Sequence, residues 1–185
     1  TFKIISSGVW IENLIILNNY SNNNWGILIN KVDEGAFIFN NTISVYDTKS
    51  AYAIYVVESS YVDVVNNTLF SSGDFLTYTL LSYSVSDCRF INNTITTVGT
   101  GEVYSKFEEY CLDGNSVCLD GQETCLDGSC LDGSHIVQEI HRTYGILSLY
   151  SSGNEISRNR VNVSSKLNRT FAHVGENLSA NTIIG

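Results

Sequence analysis

Phe39-Asn40-Asn41-Thr42-Ile43 returns as Val65-Asn66-Asn67-Thr68-Leu69 and again as Ile91-Asn92-Asn93-Thr94-Ile95. The step from Asn41 to Asn67 equals the step from Asn67 to Asn93. Ser157-Arg158-Asn159-Arg160-Val161 is a weaker copy, displaced from the third by one such period plus a long insertion. Flanking copies at Asn19 and at Asn181-Thr182-Ile183 lie at a slightly shorter spacing from their neighbours. The period falls within the roughly 20–50 residues of repeat architectures and has no helical pattern, which marks a solenoid.

The columns around the asparagine select the type of solenoid. Three residues before it stand Ile16, Ile38, Val64, Phe90, Ile156 and Leu178, and five before it Leu14, Ala36, Val62 and Cys88. This is the two-residue alternation of a strand. Two residues after it stand Ile43, Leu69, Ile95, Val161 and Ile183, on the opposite parity. The chain therefore bends at the asparagine and enters a second strand. A third strand starts at Gly26-Ile27, Ala53-Ile54, Thr79-Leu80 and Gly145-Ile146. Three short strands per period predict an all-β fold, a parallel β-helix of about six rungs with a Cys- and Asp-Gly-rich insertion that protrudes from it. The stacking distance is that between paired strands, about 4.8 Å. Asn19, Asn41, Asn67, Asn93, Asn159 and Asn181 are expected to form a ladder at one corner, because Asn tolerates left-handed backbone and its amide can bond to the next rung.

The expected organisation is rungs over 1–100, the insertion over 101–141, and rungs resumed over 142–185, all one domain. No run approaches the roughly 20 apolar residues of a membrane span. The chain opens on Thr1 without a signal-peptide pattern and neither end carries an evident cap. A segment of a longer protein is expected, with targeting information outside it.

The net charge of −9 is concentrated. Residues 101–141 hold nine acids against Lys106 alone, and so carry −8 of it. The absence of a basic patch argues against a nucleic-acid partner. The same stretch repeats Cys-Leu-Asp-Gly from Cys111, Cys118, Cys125 and Cys130. Asp-Gly is a strong turn signal. Three states of the cysteines compete: two disulfides stapling an excursion that lacks a core, a tetrathiolate metal site, or reduced thiols. The staples are the reading carried forward. Asp113, Asp120, Asp127 and Asp132 are turn residues and a candidate calcium site; no other cofactor is implied. Cys88 falls in an inward column and reads as a packing thiol.

Trp25, Tyr52, Tyr78 and Tyr144 form an aromatic column before the third strand. It could be a sugar platform, but its shared parity with Ile54 and Ile146 favours an internal or corner stack. Phe37, Asp63, Arg89 and Glu155 point outward, with Asp87 close by. Asp63, Asp87 and Arg89 are the candidates if the chain is catalytic, although an acid–Arg pair between rungs reads first as a surface ion pair. Of the sequons at Asn19, Asn40, Asn66, Asn92, Asn162, Asn168 and Asn177, those at Asn40, Asn66 and Asn92 arise from the corner motif itself, and Asn168 and Asn177 are the better N-glycosylation candidates.

The Asn-x-Ile rungs, the Tyr144-Gly145-Ile146 strand start and the terminal Asn181-Thr182-Ile183 resemble the right-handed parallel β-helix repeats of many surface proteins, which implies a right-handed coil here. The Cys-Leu-Asp-Gly series, followed by Arg142-Thr143-Tyr144-Gly145-Ile146 and Leu149-Tyr150-Ser151-Ser152-Gly153-Asn154, is similar more narrowly to adhesin-like surface proteins of methanogenic archaea. The resemblance implies a non-catalytic extracellular scaffold at the cell surface or wall, contacting glycans or proteins of other cells. The alternative is a fragment of a carbohydrate-active β-helix enzyme, a polysaccharide lyase or glycoside hydrolase, because one fold carries both roles.

Overall fold

The structure is a computed structural model that describes residues 2–19, 24–74, 76–100, 105–107, 136–138, 142–165, 170–176 and 182–184. The chain forms two compact units, residues 1–101 with 141–185, and residues 102–140. No helix occurs among the described residues, so none is long and apolar enough to cross a membrane.

The first unit is a parallel β-solenoid. Its first coil contains β1 (Phe2–Ile4), β2 (Val9–Glu12) and β3 (Ile15–Asn19). The second contains β4 (Asn24–Asn30), β5 (Ala36–Phe39) and β6 (Thr42–Tyr46). The third contains β7 (Ala51–Val57), β8 (Val62–Val65) and β9 (Thr68–Gly73), and the fourth β10 (Leu76–Tyr83), β11 (Arg89–Ile91) and β12 (Thr94–Gly99). In the second unit β13 (Ser105–Phe107) pairs antiparallel with β14 (Ile136–Gln138). The solenoid then continues with β15 (Arg142–Leu149), β16 (Glu155–Ser157) and β17 (Arg160–Ser165), and ends with β18 (Thr170–Glu176) and β19 (Thr182–Ile184). Every coil gives one strand to each sheet it reaches. Sheet A is β1-β4-β7-β10-β15-β18, sheet B is β2-β5-β8-β11-β16-β19, and sheet C is β3-β6-β9-β12-β17.

The core is built of apolar columns that run through the coils. Ile11, Ile38, Val64, Phe90 and Ile156 are paired neighbours in sheet B. Ile16, Ile43, Leu69, Ile95 and Val161 line sheet C, and Ile27, Ile54, Leu80 and Ile146 line sheet A. Part of the interior is polar but satisfied. The Thr79 hydroxyl meets Ser71 at 2.6 Å and Thr97 at 2.5 Å, and all three side chains are fully buried.

Coil corners use left-handed backbone, in three columns. Lys31, Glu58, Ser84 and Tyr150 follow sheet A; Gly8, Gly35, Tyr61, Asp87 and Gly153 precede sheet B; Asn13, Asn40, Asn66, Asn92 and Arg158 precede sheet C. A non-glycine residue there costs about 1–2 kcal/mol. Inter-coil hydrogen bonds oppose that cost: Asn40 N donates to Val65 O at 3.2 Å, Asn66 N to Ile91 O at 3.1 Å and Asn92 N to Ser157 O at 3.1 Å. Arg158 takes the same conformation as the asparagines it replaces.

The buried ladder stands one residue further on. Each asparagine Oδ1 accepts the backbone N–H of its counterpart in the preceding coil: Asn67 from Asn41, Asn93 from Asn67 and Asn159 from Asn93, each at 2.9 Å. Each Nδ2 donates to a carbonyl of that coil. The acceptors of Asn41, Asn67, Asn93 and Asn159 are Ile11, Ile38, Val64 and Phe90 in order. Asn19 is not a member. The ladder position of the first coil is Leu14, whose N–H donates to Asn41 Oδ1 at 3.0 Å. Asn19 instead ends β3 opposite Tyr46, on an exposed position. Ile16 accordingly pairs with Ile43, and Val9, not Leu14, pairs with Ala36. At the far end Ile183 pairs with Ile156, so it belongs to the sheet B column and not to the column of Val161. Asn181 and Leu178 lie outside the described residues.

Cys88 occupies the corresponding corner before sheet B and is fully buried. Its Sγ accepts from Val62 N at 3.4 Å, while its N–H donates to Asn154 Oδ1 at 2.8 Å. Thus Asn154 and Cys88 form a short second ladder. Burial pushes the Cys88 thiol from 9.0 up to about 11, and likewise raises the Tyr78 hydroxyl from 10.0 to about 12. Both folded-state values are raised, so the folded chain holds more protons above pH 9. The stabilisation is complete below pH 9 and is lost as pH rises through about 11, and for Tyr78 through about 12. The Cys88 contribution alone is on the order of 2–3 kcal/mol. Urea denaturation at pH 7 and pH 10.5 is expected to show this fall, and Cys88→Ser to reduce it. An equal fall in Cys88→Ser would assign the effect elsewhere.

Candidate functional site

The aromatic column lies on the outer face of sheet A. Ala53 and Ile54 are both buried in the core, as are Thr79 and Leu80 inside the solenoid, so the alternation slips by one residue there. Tyr52 therefore points away from the core although Ile54 points into it, which corrects the parity expectation. Small residues permit the slip. A Cβ on Gly26 would collide with Ile43 Cγ2 and stand 2.7 Å from Ala53 O.

Tyr52, Tyr78 and Tyr144 stack with centroids 5.5 and 5.2 Å apart and planes within 14° and 11° of parallel. Trp25 is their register neighbour below Tyr52. Leu81, Tyr144 and Leu147 form a second apolar cluster with Tyr55 and Leu149. Stacked rings cover one another's faces. The column therefore offers ring edges and hydroxyls, and it is a structural ladder more than a sugar platform.

Sheet B presents a different outer face. Trp10, Phe37, Asp63, Arg89 and Glu155 occupy one column from coil to coil. Trp10 is 63% exposed. Its centroid is 4.3 Å from that of Phe37 at a tilt of 51°, and Phe37 stacks on Phe39 at 5.6 Å. Trp10 Nε1 donates to Glu12 Oε2 at 2.7 Å, which fixes the indole on the strand. Beside these rings is an open depression of about 190 Å³. Gly8 and Gly35 line it, with Trp10, Phe37 and Tyr61 as its aromatic members and Glu34 and Asp63 as its carboxylates. Tyr61 is 60% exposed. The left-handed glycines leave the corner bare at coils one and two, and a Cβ on Gly35 would meet Tyr61 O at 2.9 Å. The site is an amphipathic concavity: exposed ring faces beside acceptor oxygens.

Of the catalytic candidates, the structure joins Asp63 and Arg89. Arg89 Nε donates to Asp63 Oδ1 at 2.7 Å and Nη2 to Oδ2, a bidentate pair. The Asp63 hydrogen bond and charge raise the Arg89 guanidinium. With the Arg89 side chain 55% exposed, the pair adds little stability. Asp87 is elsewhere, at the left-handed corner column rather than on the sheet face. Cys111, Cys118, Cys125, Cys130, Asp113, Asp120, Asp127, Asp132, Asn168 and Asn177 lie outside the described residues. Among the described residues no group of three or more His, Cys, Asp or Glu is placed to hold a metal ion.

Sequence reading misses Trp10 because it misplaces the first coil, and Tyr61 because it assigns no role to the corner before sheet B. Aligning on Asn19 puts Ile15 in the outward column, whereas aligning on Leu14 puts Trp10 there beside Phe37. The Gly8–Gly35–Tyr61 corner carries a signal too, a left-handed column with its glycines at one end.

Sheet topology and register define the chain as a parallel β-solenoid repeat protein. No family model, curated protein or solved structure matches it.

Proposed function

We propose that this chain is a non-catalytic binding scaffold of a cell surface, adhesin-like, that holds a glycan against Trp10. The carrying observation is the exposed, hydrogen-bond-fixed indole beside a glycine-lined depression with two carboxylates. Sugar rings present C–H faces and a rim of hydroxyls, and such ligands take an apolar wall with a few placed polar groups. A pre-fixed ring loses little freedom on binding. The extracellular location and the contact with other cells rest on the sequence resemblance. The lyase or hydrolase reading finds its support in the same outer face, but its acid and base are committed to each other as an ion pair.

The test is a panel of soluble polysaccharides. Affinity gel electrophoresis is expected to show retention by at least one glycan. Trp10→Ala, a change at an exposed position, is expected to weaken it at least about tenfold, a loss of roughly 1.4 kcal/mol. Circular dichroism should be unchanged. Release of reducing ends or unsaturated sugars, abolished by Asp63→Ala, would replace the scaffold reading with the enzyme reading.

A further inference from the structure

The charge of the depression selects its ligand. On the basis of the glycan-binding reading above, we infer that the Trp10 site takes neutral glycans and rejects uronate- or sulfate-bearing ones. The two charged side chains that line the depression are Glu34 and Asp63, both acidic. Glu12, which holds the indole, adds a third carboxylate at the edge of the ring. The nearest cation in the outward column is Arg89, and its guanidinium already bonds Asp63 through two nitrogens. An anionic sugar ring laid on Trp10 would therefore bring its charge among carboxylates with no lining cation to receive it. A neutral ring meets the same groups as acceptors for its hydroxyl protons, and hydrogen bonds to charged acceptors are the stronger kind.

The aromatic geometry adds a second requirement. Phe37 and Phe39 stack with planes 20° apart, so their faces are covered as in the tyrosine column, whereas Trp10, tilted by 51° to Phe37, and Tyr61 keep exposed ring area beside the depression. Two exposed rings at one depression suit a chain of sugars more than a single one. Pyranoses with mainly equatorial hydroxyls suit it best, because their C–H bonds point to the two faces while the hydroxyls radiate toward Glu34 and Asp63. The occupant is thus a neutral hexopyranose chain.

The experiment compares hydroxyethyl cellulose, glucomannan and other neutral chains with polygalacturonate and chondroitin sulfate, by affinity electrophoresis and Trp fluorescence titration. At low salt the neutral chains are expected to bind at least about tenfold more tightly. The difference should narrow as salt screens the carboxylates, since the Debye length shrinks to about 3 Å at 1 M. Glu34→Gln removes one charge and leaves a weaker, neutral acceptor. It should lower neutral affinity and raise anionic affinity, so that the neutral-to-anionic ratio falls at least about threefold, roughly half of a tenfold step in free energy. Anionic chains that bind as tightly as neutral ones, with both lost in Trp10→Ala, would overturn the charge selection and leave the site standing. Glycan retention indifferent to Trp10→Ala would overturn the site. Retention by no chain of either charge would overturn the glycan reading itself.

Discussion

Replacing Phe90 by alanine lowers the unfolding free energy by about 3–5 kcal/mol. Phe90 is the largest fully buried side chain among the described residues and sits in β11 between Val64 and Ile156. The cost has two parts, the lost burial of the ring and the cavity it leaves. Collapse into that cavity is restricted, because its neighbours above and below are held by backbone pairing to further coils. Domains are stable by only about 5–15 kcal/mol, so this single change removes a large share. Urea denaturation followed by circular dichroism measures it as a lower midpoint at constant slope. A loss under about 1 kcal/mol would mean that the interior is loosely packed at this level.

Asn67→Leu is expected to cost at least about 3 kcal/mol, since each buried polar group left without a partner costs about 1–3 kcal/mol. Asn67 is 1% exposed. Its loss removes the acceptor of Asn41 N and Nδ2, and the donor to Ile38 O and Asn93 Oδ1. Leucine differs from asparagine only modestly in size, so packing alone would predict a mild effect. The chain itself carries a leucine at this corner in Leu14, where the amide role is needed only as donor of its own N–H to Asn41. Asn159→Leu should cost less, because Asn159 is only half-buried. Equal midpoints for Asn67→Leu and the parent would show that the ladder contributes packing rather than hydrogen bonds.

The fold is legible because two signals coincide at each corner. The Asn-Asn-Thr motif marks the bend, and the change of apolar parity marks the new strand. Asn40, Asn66 and Asn92 need left-handed backbone, while Asn41, Asn67 and Asn93 need buried amides, so both asparagines of the pair are explained by the coil. The first coil misleads because Leu14 takes the place of an asparagine there, and Asn19 offers a false anchor. Parity fails once more at Ala53-Ile54, where a local slip turns two consecutive residues inward and reverses the Tyr52 side chain. Sheet-level alternation cannot report such a slip, although the small-residue column Gly26, Ala53, Thr79 and Gly145 marks it. The site is the least legible part. It depends on Trp10 and Tyr61 meeting Phe37 at a corner emptied by two glycines, and no spacing rule encodes that meeting.

The pairing of β10 with β15 joins residues 66 apart, whereas the coils before it join residues 25 to 27 apart. Tyr78 and Tyr144 nonetheless stack like Tyr52 and Tyr78. Closing the longer loop costs roughly 0.8 kcal/mol more chain entropy than closing the shorter one, by the logarithmic dependence on length. Assembly that proceeds coil by coil therefore meets its steepest step at this one seam. The first four coils can zip along their short loops as one cooperative block, and the later coils join it as a second event. In kinetic language, the solenoid has a natural pause point, and it coincides with the place where the long insertion breaks the sequence period.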